Sequence, residues 1–369
     1  MGLSNVLARA AVSRCHVFLA EVVDGAGPRM AVEQELTRRG WVEALSPADA
    51  DIFCVCGDVP DGQAKALDRL WDQLPGPRAR VSVSQSDDAG AQLDGCVAEL
   101  LDTAAQRRQG ADRTVQPDDG GKDDGGMDDM DHGGMDMPMP GGIPLAGEGT
   151  DRDGLDLDVL KVPLGPYLPL WPAGLVLHCE LQGDVVFGAT VGFEFGQSRS
   201  GPGQPAADEP ATLIHHLDLA SRLLRLAGAV TSAGRTRRIR DAALDGAALD
   251  RCRTELRAEL GRLRKDWLLH RALRGIGHVP ADAGLPADSG PQGLAGTDVW
   301  TRLLGMFEAA AGSTAPATSP STLQRQDFAA ALPRLVRGQE LSVLRLIVAS
   351  FDLAPAAQQT TAQQTEVSR

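Results

Sequence analysis

Short apolar runs alternate with amphipathic stretches between residues 16 and 105. The apolar runs predict strands at 16–23, 41–45, 48–57 and 80–84. Helical spacing of apolar residues predicts helices at 30–39, 61–74 and 96–106. Strands and helices that alternate at this spacing are typical of a parallel sheet covered on both faces. The pattern therefore predicts an α/β N-terminal domain of flavodoxin-like type.

The pattern changes after residue 150. Apolar and polar residues alternate in 175–182, the turn residues Gly183 and Asp184 follow, and a second apolar run covers 185–195, which is the signature of a β-hairpin. After a Gly/Pro-rich break at 198–210, helical spacing predicts helices at 211–228, 233–245, 247–274, 297–312, 322–337 and 339–353. This half predicts an α+β domain, a β-hairpin followed by a helical bundle.

An acidic segment separates the two halves. Residues 117–149 contain eight Asp, one Glu, one Lys, five of the eight Met and no aromatic residue. Such a composition has too little apolar surface to offset the entropy of ordering, so we predict a disordered Asp/Gly/Met-rich linker at 111–150. The remaining predicted parts are an N-terminal tail (1–15), the α/β domain (16–110), the hairpin region (151–200), the helical bundle (201–355) and a disordered tail (356–369).

Composition narrows the function classes. The net charge is −14, and the lack of a basic face argues against nucleic acid as a partner. No apolar run approaches the roughly 18–20 residues that span a bilayer, so no transmembrane segment is expected. Six cysteines in 369 residues are too few for a disulfide scaffold, and the N-terminal stretch lacks the pattern of an export signal. We therefore expect a reduced, cytoplasmic location.

The segments ADIFCVCGDVP (50–60) and LDRLWDQLPGPRARVSVSQS (67–86) carry a family resemblance. Residues 16–105 resemble the small iron–sulfur subunit shared by complex I and NiFe hydrogenases. The resemblance implies cluster cysteines after the first and fourth strands, but the loops 21–28 and 84–90 contain none. The cysteines of this half are Cys15, Cys54, Cys56 and Cys96, and the middle two share one face of an apolar strand, which favours core packing. A cubane cluster needs four thiolates, so we predict that it is absent.

The segment VPLGPYLPLWPAGLVLHCELQGDVV (162–186) carries a second resemblance, supported by 215–228 and 332–353. Residues 155–354 resemble the large subunit of the same assemblies, the homologue of the hydrogenase catalytic subunit. The family's histidine after Gly-Pro-x is Leu168 here, and no Cys-x-x-Cys pair occurs in this half. Because the resemblance implies a nickel–iron site held by two such pairs, we predict that this site is absent too.

Together the resemblances imply a subunit of a complex-I-like or membrane-hydrogenase-like redox assembly, of the NADH-quinone oxidoreductase type. We expect it to lack cofactors and to serve a structural or assembly role, with membrane and peripheral subunits as partners and a peripheral position on the inner face of the cell membrane. Whether the chain is itself an enzyme stays open.

Two alternatives remain. In the first, the chain is a quinone-reducing subunit in which Tyr167, the sole tyrosine, contacts the quinone in a cleft, rather than merely packing on Pro166 and Pro169. In the second, it is a metal-binding protein whose linker offers thioether and imidazole ligands suited to Cu(I), against the simpler interpretation of an acidic tether. The linker ligands are Met127, Met130, His132, Met135, Met137 and Met139.

Two further polar patterns fall in the helical half. His215 and His216 are adjacent on a predicted helix and should point to different faces, one exposed and one partly buried, which argues against a metal site with two histidines. The charged residues of 250–266 predict a solvated or partner-facing helix surface.

Overall fold

The computed structural model describes residues 3–60, 62–115, 147–150, 156–194, 209–280, 294–312 and 325–353. The chain divides into two compact units. The first comprises Met1–Pro169 and Val176–Thr190, and the second comprises Leu170–Leu175 and Val191–Arg369.

The first unit is built on a parallel sheet. Its N-terminal elements are α1 (Leu3–Val12), β1 (His16–Glu21), α2 (Ala26–Arg39), β2 (Val42–Glu43), β3 (Ile52–Cys56), α3 (Ala64–Asp72), β4 (Ala79–Val83), α4 (Ala89–Leu101) and α5 (Thr103–Val115). The strand order is β2-β1-β3-β4, and every pair is parallel. The predicted α/β class is confirmed.

Each face of this sheet carries its own apolar core. All five residues of β3 are buried, as expected for a central strand covered on both sides. Ile52 packs in the same cluster as Leu93 of α4, whereas the next residue, Phe53, packs with Leu67 of α3. We call these clusters the α4-side core and the α3-side core. The alternation follows from the two-residue period of a strand.

Several predicted boundaries in this unit differ from the structure. The predicted helix 96–106 is two helices, because the Asp102 carboxylate accepts hydrogen bonds from the backbone N–H groups of Ala104 and Ala105 (3.1 and 3.0 Å) and so caps α5. Helix α5 continues to Val115, past the predicted start of the linker at residue 111. The predicted tail 1–15 contains α1, and β2 has two residues where five were expected.

A second sheet is antiparallel. It contains β5 (Gly147–Thr150), β6 (Asp156–Leu164), β7 (Leu175–Gln182) and β8 (Val185–Phe193), in the order β5-β6-β7-β8. The hairpin β7–β8 is confirmed, and its turn uses Gly183 at φ +63°. Strand β5 lies inside the predicted linker 111–150, so that prediction is wrong at its end: backbone pairing of Gly147–Thr150 with β6 orders a segment that has few apolar side chains.

Most of this sheet belongs to the first unit, and helices form most of the described part of the second. They are α6 (Glu209–Leu226), α7 (Val230–Leu244), α8 (Leu249–Leu263), α9 (Trp267–Leu273), α10 (Val299–Ala310), α11 (Arg325–Val336) and α12 (Leu341–Ala349). The predicted helix 247–274 is two helices because Asp266 accepts a hydrogen bond from the N–H of Leu269 (3.0 Å) and starts α9. The helical region expected here is confirmed.

Buried charges lie within and between the helices of this unit. Arg240 of α7 is fully buried and donates to Asp218 of α6 (2.6 Å) and to its neighbour Asp241 (2.7 Å). On α8, Glu259 is also fully buried and pairs with Arg262 at 2.6 Å. The predicted solvated surface at 250–266 is therefore wrong for Glu259, because this position faces the interior and its carboxylate is paired there.

Candidate functional site

The carboxyl ends of β1 and β3, where parallel sheets usually bind ligands, are closed by backbone. The loop after β1 lies directly on β3: the N–H of Val22 donates to the Cys56 carbonyl (3.1 Å), and a Cβ on Gly25 would lie 2.0 Å from the same oxygen. Only glycine fits at position 25. A Cβ on Gly27 would lie 3.4 Å from the Ser86 hydroxyl, so the loop after β4 approaches this point as well.

A buried ion-pair network lies next to this closed edge. The Arg29 Nε donates to Glu21 Oε2 at the end of β1 (3.0 Å), and Arg29 Nη1 donates to Glu33 Oε1 (2.5 Å). Arg29 and Glu33 are 5% and 2% exposed. The region after the first strand, where the family resemblance places thiolates, therefore carries carboxylates paired with a guanidinium.

Four of the five cysteines of this unit lie in the α4-side core. Cys15, Cys54, Cys56 and Cys96 are all buried, and the sulfurs of Cys54 and Cys56 are 3.9 Å apart. Burial raises the pKa of Cys15 to about 11 and that of Cys96 to about 12, which keeps both thiols protonated at neutral pH. The prediction that Cys54 and Cys56 pack in the core is confirmed. Buried thiols that stay protonated among apolar side chains do not fit an iron–sulfur cluster, which is held by thiolates.

Tyr167 lies in the α3-side core. It is 6% exposed, and its hydroxyl donates a hydrogen bond to Gln63 Oε1 within the same unit. The hydroxyl is thus engaged inside the first unit in this conformation. Its contact with a quinone stays a prediction. The linker residues Met127, Met130, His132, Met135, Met137 and Met139 lie outside the described residues.

A cluster that the sequence did not predict lies in the second unit. His215 and His216 of α6 meet Asp352, which follows the end of α12. The His215 Nε2 is 2.8 Å from Asp352 Oδ1, the two imidazole rings are 5.3 Å apart between centroids, and one donor atom from each residue lies within 4.8 Å of the others. We call these three residues the His–His–Asp cluster.

The two histidines differ in exposure as predicted. The side chain of His215 is 52% exposed, whereas His216 is 8% and Asp352 4% exposed. The expectation that two adjacent histidines give poor geometry for a metal site did not include Asp352, which brings one donor atom of each of the three residues within 4.8 Å of the others. No sequence pattern indicated Asp352, which is 137 residues from His215.

The environment gives the two imidazoles different protonation. Burial by itself lowers the pKa of His215, but the hydrogen bond and charge of Asp352 outweigh it, and the pKa is raised. Burial lowers the pKa of His216 to about 4, so this ring is neutral at physiological pH. Its Nδ1 is enclosed and has no hydrogen-bond partner among the described residues. A neutral imidazole beside a carboxylate is a ligand set for a metal ion.

Comparisons with protein-family models, with curated proteins and with solved structures find no match to this chain. In the described parts of the chain, no helix combines the length and the apolar character needed to cross a membrane.

Proposed function

We propose that this chain is a subunit of a complex-I-like or membrane-hydrogenase-like redox assembly that lacks the iron–sulfur cluster and the nickel–iron site and has a structural or assembly role. Two resemblances that follow one another along a single chain support it. The strand order β2-β1-β3-β4 also supports a flavodoxin-like N-terminal domain, since flavodoxin-like sheets begin 2-1-3-4.

The burial of the thiols carries this proposal. A cluster-binding subunit needs cysteines in the loops at the strand ends, where thiolates can converge on iron. Here the thiols are within the α4-side core, and the end of β1 holds the Arg29 ion pairs instead. The same fold can therefore support partner subunits without carrying electrons.

A structural role follows from this arrangement. Electron transfer through a subunit needs a redox centre, which the described side chains of this unit are not placed to hold. What the chain then contributes is a surface for membrane and peripheral subunits of the assembly.

Affinity capture tests the proposal. The full chain is tagged in its native host, the membranes are solubilised in mild detergent, and the captured proteins are identified by mass spectrometry. We expect membrane-spanning subunits of the proton-pumping type together with peripheral redox subunits. Capture that yields no membrane-spanning subunit contradicts the assignment.

A thiol variant supplies the matched control. The double variant Cys54→Ala, Cys56→Ala removes two adjacent buried thiols and should leave the captured set unchanged, because these side chains only fill the core. If the wild-type chain carries iron and acid-labile sulfide and the variant loses them, the cofactor-free role is wrong.

A further inference from the structure

The His–His–Asp cluster brings together side chains from distant parts of the chain. His215 and His216 lie in the second turn of α6, and Asp352 lies three residues beyond the last residue of α12. The two elements contact each other within the second unit. Because Asp352 is 4% exposed and reaches His215 Nε2 at 2.8 Å, the tertiary fold fixes its position.

The buried Nδ1 atom of His216 also indicates that a ligand binds at the His–His–Asp cluster. Its Nδ1 is enclosed and makes no hydrogen bond with any described residue, although His216 is only 8% exposed. Buried polar atoms are nearly always paired, so an orphaned one needs an explanation such as a bound ion. The neighbouring carboxylate and second imidazole point to a cation as the missing partner.

We propose that His215, His216 and Asp352 bind a divalent transition-metal ion of the zinc class. Two imidazole nitrogens and one carboxylate oxygen are a common three-residue ligand set for such ions, with a fourth position left for water or a further ligand. Imidazoles are poor ligands for Mg²⁺ and Ca²⁺, and a site without sulfur is not suited to Cu(I). The exposed side chain of His215 gives the ion a route from solvent.

The ion requires small side-chain adjustments. Ligand atoms at about 2.0–2.2 Å from a tetrahedral Zn²⁺ lie roughly 3.4 Å from one another. The donor atoms now lie within 4.8 Å of one another, and the His215–Asp352 pair is at 2.8 Å, so a tetrahedral ion requires that hydrogen bond to open.

The surrounding charges are balanced. Asp218 and Arg222 of α6 act on His215 with opposite signs, and Asp218 is also bound to the buried Arg240. The positive charge of a bound metal ion is therefore compensated mainly by Asp352, whose carboxylate is the anionic ligand. This site is independent of the proposed function, because it uses only residues of the second unit and neither of the cofactors that the family resemblance implies.

Zinc titration of the full chain tests the site. The protein is freed of metal with a chelator, dialysed, and titrated with ZnCl₂ against a chromophoric competitor. We expect one equivalent to bind and to raise the melting temperature. The variants His215→Gln, His216→Gln and Asp352→Asn should each weaken this binding at least tenfold.

Two controls separate this site from other ligands. His278→Gln alters an exposed histidine outside the cluster, and His132→Gln alters the linker; both should bind as the wild type does. His215→Gln is the variant least able to disturb folding, because that side chain is half exposed, and circular dichroism checks its fold. Tetrahedral d–d absorption of bound Co²⁺ that is lost in His215→Gln would support the site.

Three results would overturn the proposal: no zinc binding by the wild-type chain, binding that persists in all three cluster variants, or binding that disappears in His132→Gln.

Discussion

Replacing Asp218 with alanine removes one partner of a fully buried charge in the second unit, the guanidinium of Arg240. Arg240 is fully buried, and its Nη1 donates to Asp218 Oδ1 at 2.6 Å, which joins α7 to α6. Breaking a buried pair from one side costs about 3–5 kcal/mol because the remaining charge stays buried. Since Asp241 still accepts from Arg240 at 2.7 Å, we expect the lower end of that range, about 3 kcal/mol.

Hydrogen–deuterium exchange of the full chain measures this loss where it occurs. A loss of about 3 kcal/mol raises the exchange rate of protected amides roughly 100-fold, and this should be seen in peptides of α6 and α7. The measurement is made with a chelator present, so that metal binding does not contribute. Asp218→Asn, which keeps the shape but not the charge, should produce a similar acceleration.

An exposed pair on α8 is the matched control. The Arg251 Nε and Glu255 Oε1 are 3.1 Å apart, but their side chains are 73% and 49% exposed. Such pairs contribute about 0.3–0.5 kcal/mol, so Glu255→Ala should change exchange about twofold at most. If Asp218→Ala accelerates exchange no more than Glu255→Ala does, the assigned role of the buried pair is wrong.

Three further predictions concern a helix cap, the thiols and α9. Asp298→Ala should cost about 1 kcal/mol at pH 7, because the carboxylate accepts from Thr301 N–H at the start of α10. Burial alone raises the pKa of Asp298, but hydrogen bonds from Gly275 and Thr301 outweigh burial, and the pKa is lowered. The ionised cap therefore stabilises the folded chain fully above the unfolded pKa of about 3.9. This stabilisation is lost as the pH falls through the pKa of the folded state. Urea unfolding at pH 7 and pH 3 checks this, and an equal cost at both would refute it. The six buried thiols should react with a disulfide reagent roughly 100-fold more slowly in the native chain than in urea, and fast native labelling would contradict their burial. Leu273→Ala, at a site 1% exposed, should cost about 2–5 kcal/mol. Trp267→Ser, at a site 74% exposed, should change the stability by no more than about 0.5 kcal/mol in the same urea measurement. Similar costs for the two variants would refute the burial of Leu273 and the exposure of Trp267 on α9.

The periodicity of apolar residues predicts most of this fold and misses its interruptions. The two-residue alternation of 175–182 and the apolar run around Ile52 identify strands because burial on one face or on both leaves a distinct pattern. Asp102 and Asp266 start new helices inside amphipathic stretches whose period continues through them, so a single capping carboxylate is hidden in the pattern. The order within β5 arises from backbone pairing, which leaves no side-chain signal.

The candidate site is predictable only in part. The pair His215–His216 is visible in the sequence, and one exposed and one buried ring follow from their adjacent positions on α6. The role of Asp352 is not visible in the sequence, because only the packing of α12 near α6 brings its carboxylate within 2.8 Å of the His215 ring. Likewise, the charged pattern of α8 does not distinguish the buried Glu259 from the exposed Glu255. Each of these two glutamates has an arginine partner on the same helix, so the sequence pattern around them is alike.

The subunit composition of the complex captured with the full tagged chain tests the central claim most directly. The account predicts that membrane-spanning subunits of a proton-pumping redox assembly co-purify with the chain, and that they do so equally with Cys54→Ala, Cys56→Ala. Recovery of the chain alone from detergent-solubilised membranes, or of partners that are lost together with iron in the double variant, would contradict it.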